Sequence, residues 1–294
     1  MILVTGATGG IGRVLLDHLL TADREPVRVV ARDPDKVPRA VRDRVEVVVG
    51  SHADPDVVDA ALDGVRSVFW LVAGDPTAAS PFHAYVGFSL AFAAALPGSG
   101  VERVVTVSAL GRRVQGYAGH ASASQAMDDL LRATGVHLRA LVAPTLMDNL
   151  LRDVDGLRSD GVVRAAAQQD RRAPMVARSD VAAVAARLLL DGSWTGQEEL
   201  PVLGPEDLSA DDVDRVLAEV LGRPVRHGAP DPQQQLTALV TAGSSPRMAR
   251  GLTAMLAAKA RGLDDADRPT RAADTPTTLR QFAERVLAPA VQGR

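Results

Sequence analysis

Ile2-Leu3-Val4-Thr5-Gly6-Ala7-Thr8-Gly9-Gly10-Ile11-Gly12 opens the chain, and its reading decides the fold. Ile2, Leu3 and Val4 form a short apolar run of strand type, and Val14, Leu15, Leu16, Leu19 and Leu20 then recur at helical spacing. Between them lies a G-x-x-G-x-x-G turn. A strand, a tight glycine turn and a helix start together make an anion site, because backbone N–H groups and the positive end of the helix dipole converge there. Gly6 and Gly9 permit the backbone angles and the close approach this needs, and Gly12 lets the helix pack on the strand. This spacing, like the more familiar G-x-G-x-x-G, places a diphosphate on a helix start. A P-loop is excluded, since no Gly-Lys-Ser/Thr follows. Gly6, Thr8, Gly9, Gly10, Ile11 and Gly12 are the expected diphosphate contacts.

The second strand, Val27 to Ala31, ends at Arg32, about twenty residues beyond Gly12. An acidic side chain at that place binds the ribose 2′-hydroxyl of NAD, whereas an arginine suits the 2′-phosphate of NADP. Arg32 has the planar, permanently charged fork that phosphate recognition needs, and Lys36 and Arg13 stand near in sequence. The expected cofactor is NADP(H) ahead of NAD(H), with Asp33 as the residue that would serve NAD instead.

The 294 residues are enough for one elaborated α/β unit or two lobes. A net charge of −3 gives no reason to expect a nucleic-acid or membrane surface. With no cysteine there are no disulfides, thiolate zinc sites or cysteine nucleophiles, and the six histidines show no paired metal-ligand spacing. The strand begins at Ile2 and no apolar run reaches membrane-spanning length, so a cytoplasmic protein without a leader is expected.

Strand and helix signals alternate through the first half, the pattern of a parallel sheet covered on both faces. Strands are expected at Val45 to Val49, Ser67 to Ala73, Val101 to Ser108 and Leu138 to Val142. Helices are expected from Asp54-Pro55 to Leu62, from about Pro81 to Leu96 and from about Ala121 to Thr134. The carboxyl ends of such strands carry the ligand, which puts Arg32, Ala73, Gly74, Ser108 and Pro144 on one rim with the glycine turn. The expected fold class is therefore α/β, a doubly wound parallel sheet. In the second half, short strands are read at Val162 to Ala166 and Pro174 to Val176, around a polar turn from Gln168 to Arg172. Ser179-Asp180 is read as the cap of a helix through Leu190, Leu200 to Leu203 as a strand, and Ser209 to Leu221 as a helix stopped by Gly222. A helix from Pro246 to Ala260 sets Met248, Leu252, Met255 and Leu256 on one side, as core or pocket wall, before the charged stretch Asp264 to Arg271.

The stretches ILVTGATGGIG, VRVVARDPDKV, DPDVVDAALDGVRSVFWL, RATGVHLRALVAPTLMDNL, SDVAAVAARLLLDG and LPVLGPEDLSADDVDRVLAEVLGRPV resemble the NmrA-like group of atypical short-chain dehydrogenases/reductases. The resemblance covers about residues 1 to 225 well. It implies a Rossmann-like doubly wound parallel sheet with a smaller, mainly helical C-terminal substrate lobe, residues 1–150 forming the dinucleotide-binding domain and 151–294 the substrate lobe, with 174–203 expected to return to the Rossmann core. It also implies NADP(H) binding and reduction of quinones, dyes and aryl or enone compounds, although some relatives act as redox sensors. One departure bears on chemistry. Short-chain dehydrogenases generally use Tyr-x-x-x-Lys, in which the lysine lowers the tyrosine pKa for proton exchange with the substrate. Here four residues beyond Tyr85 and Tyr117 stand Ser89 and Ala121, so the pair is missing. The resemblance sets Ala121 at the tyrosine position and Gln125 at the lysine position, where an amide can hydrogen-bond a ribose but carries no charge. Ser51 stands where the family commonly has an aspartate near the adenine.

Tyr117 and His120, on the loop before the helix expected from about Ala121, and Ser108, at the end of the fifth strand, are the candidate catalytic groups. Asp148 and Asn149 are read as helix caps, and His83 and Tyr85 as packing residues or pocket lining. The expected activity is NADPH-dependent hydride transfer to a small conjugated or aromatic carbonyl substrate such as a quinone or enone. Two alternatives stay open: an NADP(H)-binding sensor without turnover, and a non-redox isomerase or cyclase on the same fold. A small molecule is the expected partner, with homodimerisation or a regulatory protein partner also open.

Overall fold

The computed structural model describes residues 1–164, 171–228, 231–265 and 275–293. The expected strand at Val162 to Ala166, turn at Gln168 to Arg172 and charged stretch Asp264 to Arg271 fall partly outside these residues. Along the described residues the strands are β1 (Ile2–Val4), β2 (Val27–Ala31), β3 (Glu46–Val49), β4 (Ser67–Trp70), β5 (Arg103–Ala109), β6 (His137–Ala143), β7 (Thr145–Leu146), β8 (Val162–Val163), β9 (Ala173–Val176), β10 (Gln197–Pro201), β11 (Asp207–Leu208) and β12 (Arg226–His227). The helices are α1 (Gly10–Ala22), α2 (Arg39–Arg42), α3 (Pro55–Leu62), α4 (Phe88–Ala95), α5 (His120–Arg132), α6 (Val154–Ser159), α7 (Arg178–Leu190), α8 (Ala210–Leu221), α9 (Pro232–Thr241), α10 (Pro246–Ala260), α11 (Leu279–Phe282) and α12 (Ala288–Gln292).

Seven parallel strands form the central sheet in the order β10-β6-β5-β4-β1-β2-β3. The order reverses between β1 and β4, whose residues Ile2 and Ser67 are in register, and such a reversal opens a crevice at the strand ends. Strands β1 and β4 read as unbroken buried runs because helices cover both of their faces. On one face Leu15, Leu16 and Leu19 of α1 pack with Val181, Ala182, Ala185 and Leu189 of α7. On the other, Val58 and Leu62 of α3, Phe92 of α4 and Met127 and Leu131 of α5 enclose Trp70 and Val104. Trp70 stacks on Phe92 at a centroid distance of 3.9 Å and donates from Nε1 to Ser89 Oγ at 2.9 Å.

The caps explain most boundaries. Asp54 accepts from the Asp56 amide with Pro55 in the first turn of α3, and Ser209 and Asp212 form a capping box on α8, which ends at left-handed Gly222. Two elements differ from expectation. Helix α7 begins at Arg178 after Ala177, so Ser179 and Asp180 lie inside its first turn. Asp148 supplies the cap from elsewhere in the chain, since its Oδ2 accepts from the Arg178 amide at 2.8 Å. The helix ahead of α4 also widens into a π turn over His83–Gly87. There the Ser89 hydroxyl donates to the Tyr85 carbonyl at 2.8 Å, satisfying a group that the widened turn displaces.

The remaining strands form smaller sheets, β11-β9-β7 and β12-β8. Around them Met147, Leu150, Leu157, Val213, Leu217, Phe282 and Leu287 build a separate core. Thr277 ties this part back to α7, with its amide and hydroxyl both donating to Asp180. Among the described residues no helix is long and apolar enough to cross a membrane.

Candidate functional site

The start of α1 has an open end. Gly9 closes the turn by donating to the Gly6 carbonyl at 2.9 Å, and the first intrahelical bond runs from Arg13 N to Gly9 O. The amides of Gly10, Ile11 and Gly12 find no acceptor among the described residues, and the first turn has neither a side-chain cap nor an acidic residue. Three free donors at the positive end of a thirteen-residue helix are what an anion needs. Gly6 sits at φ +65°, a left-handed conformation that disfavours a side chain. A Cβ on Gly12 would overlap the Gly6 carbonyl, so only glycine lets α1 come this close to the turn. Thr8 is half-buried, Gly9 and Gly10 are exposed, and Ile11 anchors the helix in the core. The cradle fits the diphosphate of a dinucleotide.

Arg32 follows directly on β2 and is exposed, with no hydrogen bond or ion pair to any described residue. Its charge reaches both His52 and Asp75. Asp33, the residue that would favour NAD, caps the turn Pro34–Lys36 by accepting from the Asp35 amide, and Lys36 Nζ lies 3.9 Å from its carboxylate. The free charge at the end of β2 is therefore positive. Burial against Trp70 and Phe88 holds the His52 imidazole down to about 4, so it is neutral near pH 7.

Across the crevice, Ala73 is exposed and Gly74 half-buried on the segment after β4. The Tyr85 hydroxyl lies 3.2 Å from where a Cβ on Gly74 would stand. It makes no hydrogen bond among the described residues, and burial raises its pKa above the ordinary phenol value. Its ring meets His120 edge-on at 6.0 Å. His120 is half-buried, its Nε2 donates to the Met248 carbonyl at 3.1 Å, and burial lowers its pKa. Helix α10 thus roofs the start of α5. A Cβ on Gly251 would meet Pro81 and His120, and Ser245 clips the roof to the loop after β4 through the Pro76 and Ala78 carbonyls.

The other candidates are placed differently. Tyr117 is 54% exposed and has no hydrogen-bond partner among the described residues. Ser108 is buried, with its hydroxyl turned to Ser124 Oγ at 3.3 Å. Gln125 Nε2 donates to the Ala109 and Leu110 carbonyls, tying α5 to the end of β5. Pro144 is buried just after β6. Ser51 Oγ accepts from the Ala53 amide in a local turn. Beneath the rim, Asp128 is fully enclosed and accepts from Thr106 Oγ1 at 2.8 Å, while its Oδ2 finds no hydrogen-bond partner among the described residues. Burial raises its pKa to about 6, although Ser108 and Thr106 beside it favour the ionised form.

The geometry brings together the glycine turn, Arg32, Gly74 and Tyr85, and His120 through Tyr85. The sequence leaves Tyr85 between packing and pocket lining, because nothing in the local pattern announces the π turn that sets it beside Gly74. Nor does the sequence single out Arg178, whose guanidinium lies on Gly10: a Cβ there would be 2.5 Å from Nη1. Arg178 Nε meets Asp148 Oδ1 at 2.8 Å, and burial leaves the Asp148 pKa raised despite that partner.

The NAD(P)H-binding family matches residues 6–192. A curated relative, the (4-alkanoyl-5-oxo-2,5-dihydrofuran-3-yl)methyl phosphate reductase of Streptomyces griseus, is 38% identical over 228 residues, covering 77% of this chain and 76% of that protein. The NAD(P)H azoreductase of Xenophilus azovorans is 26% identical over 257 residues, covering 87% and 86%. The triphenylmethane reductase of Citrobacter sp., solved with NADP(H), superposes with a TM-score of 0.79 at 19% identity, covering 97% of this chain and 99% of that one. The NADPH-dependent quinone oxidoreductase of Escherichia coli, solved with NADPH, superposes with a TM-score of 0.76 at 21% identity, covering 100% and 99%.

Proposed function

The chain belongs to the NAD(P)H-binding family, in agreement with its NmrA-like resemblance, and from that premise we propose that it is an NADPH-dependent reductase of a small conjugated carbonyl compound of the quinone or enone type. The bound cofactor would supply the hydride. Gly10, Ile11 and Gly12 hold its diphosphate through their free amides, and Arg32 pairs with the 2′-phosphate. One observation supports the choice of substrate class above the others: the acid–base apparatus is a single neutral phenol. Tyr85 Oη keeps its proton near neutral pH, since burial raises its pKa and no cation among the described residues opposes that shift.

Hydride addition to a simple ketone leaves a strongly basic alkoxide, which needs an acid poised to meet it. Addition to a quinone, or to a C=C bond conjugated with a carbonyl, leaves a delocalised anion that needs only a hydrogen bond until solvent supplies its proton. Tyr85 Oη suits that lesser task, donating a hydrogen bond to the substrate oxygen while keeping its own proton. His120, with Nε2 committed to Met248, positions the Tyr85 ring. Support comes also from the 38%-identical relative, named as reductase of an oxo-dihydrofuran with a further alkanoyl group on the ring.

The test is NADPH consumption, followed at its absorbance, with a quinone, a doubly activated enone and a simple aliphatic ketone at equal concentration. Turnover of the first two and not the third is expected. No consumption with any acceptor, despite tight NADPH binding, would favour a sensor role.

A further inference from the structure

The structure assigns Arg178, from the second half of the chain, as a clamp on the cofactor's diphosphate; the assignment rests on the reading of the α1 start as the diphosphate site. Helices α1 and α7 lie side by side on one face of the sheet, and both begin at the same end of it. The Arg178 side chain crosses from α7 onto the α1 start, so that a Cβ on Gly10 would lie 2.5 Å from Nη1, 2.9 Å from Cδ and 3.1 Å from Cζ. Any side chain at Gly10 would displace the guanidinium from the loop. The next two residues along, Ile11 and Gly12, carry the free amides described above.

The arginine is aimed rather than merely near. Asp148 Oδ1 takes Nε at 2.8 Å, while Asp148 Oδ2 accepts from the Arg178 backbone amide, also at 2.8 Å. One carboxylate therefore fixes both the root and the middle of the side chain. Nη1 and Nη2 have no hydrogen-bond partner among the described residues, although the side chain is only 38% exposed. The Asp148 contact uses Nε and leaves the outer edge of the guanidinium, Nη1 and Nη2, able to make a paired contact with a second oxyanion. Here that edge is left open toward a site for an anion. A planar donor fork suits a diphosphate, and the Asp148 contact lowers the entropy lost on binding. It also ties cofactor binding to the C-terminal part, because α7 is held there through Asp180 and Thr277. Asp148 is thus a positioning residue for Arg178.

The experiment compares wild type, Arg178→Gln and Asp148→Asn by calorimetric titration with NADPH and with adenosine 2′-monophosphate, which has the 2′-phosphate but no diphosphate. Circular dichroism and thermal unfolding report folding. The expected result for Arg178→Gln is 10- to 100-fold weaker NADPH binding with adenosine 2′-monophosphate unchanged, and for Asp148→Asn a smaller loss of the same selectivity. Unchanged NADPH affinity in folded Arg178→Gln would overturn the assignment, as would equal weakening of both nucleotides, which marks a structural brace. Should Arg178→Gln fail to fold, Arg178→Lys replaces it: retention of charge without the fork should cost NADPH affinity selectively, and wild-type affinity would refute the clamp. Failure of the underlying cofactor reading is separately visible, as wild type would then bind no NADPH.

Discussion

Replacing Asp128 by asparagine should stabilise the protein at neutral pH and leave it unchanged in acid. Asp128 is wholly buried, with Thr106 donating to Oδ1 and Oδ2 lacking a partner. Its pKa moves from 3.8 to about 6, first because burial opposes its charge. A raised native pKa means that the folded state holds the proton more tightly than the unfolded state. Its contribution to stability is then greatest below 3.8 and is lost as pH rises through about 6. At about 1.4 kcal/mol for each pH unit between the two values, the ionised group costs about 3 kcal/mol at pH 7.5. Asparagine keeps the acceptor for Thr106 and never ionises. For a chain of this size the gain corresponds to a Tm rise of about 5 °C. Differential scanning calorimetry of both proteins at pH 4 and 7.5 measures it. A Tm difference that does not change with pH, or a variant less stable at pH 7.5, would refute the reasoning.

Further outcomes follow from the same geometry. Gly12→Ala should abolish measurable NADPH binding and lower stability by about 1–3 kcal/mol, because the new methyl overlaps the Gly6 carbonyl and pushes α1 away from the turn. Calorimetric titration and urea unfolding report the two effects. Tyr85→Phe should lower kcat on an enone by about 10- to 100-fold while leaving the Kd for NADPH unchanged, a split that steady-state kinetics with parallel binding measurements resolves. His52 has the opposite sign to Asp128. Its native pKa of about 4 lies below 6.5, so the unfolded state takes up the proton first and stability is lost as pH falls from 6.5 through about 4. His52→Phe should therefore flatten the acid side of the stability profile by at most about 3 kcal/mol, read from urea unfolding at pH 7 and 4.5.

Local patterns carried most of the elements. The buried runs of β1 and β4, the Asp54-Pro55 start of α3 and, in the second half, the Ser209 start of α8 are each written in a few neighbouring residues. The glycine turn was legible for the same reason, since Gly9 and Gly12 both answer to the Gly6 carbonyl a few residues back, although Gly6 itself lies against Leu71 of a later segment. Long-range partnerships were not. Asp148 was read as a cap, yet the helix it caps starts thirty residues later at Arg178, and Ser179-Asp180 looked locally sufficient for that task. Tyr85 owes its place to a π turn and to Ser89, and His120 owes its burial to α10, more than a hundred residues away. Periodicity cannot report either contact, because it records which face of an element is apolar and not which other element covers it.

The most direct measurement is titration of the purified protein with NADPH and NADH by calorimetry, repeated on Arg32→Ala. The α1 amides and the Arg32 guanidinium at the end of β2, both without a partner among the described residues, predict NADPH binding tighter than NADH by about 10- to 100-fold, with the preference collapsing in the variant while NADH affinity stays the same. Wild type that binds neither dinucleotide, or a preference for NADPH that survives Arg32→Ala intact, would contradict the account.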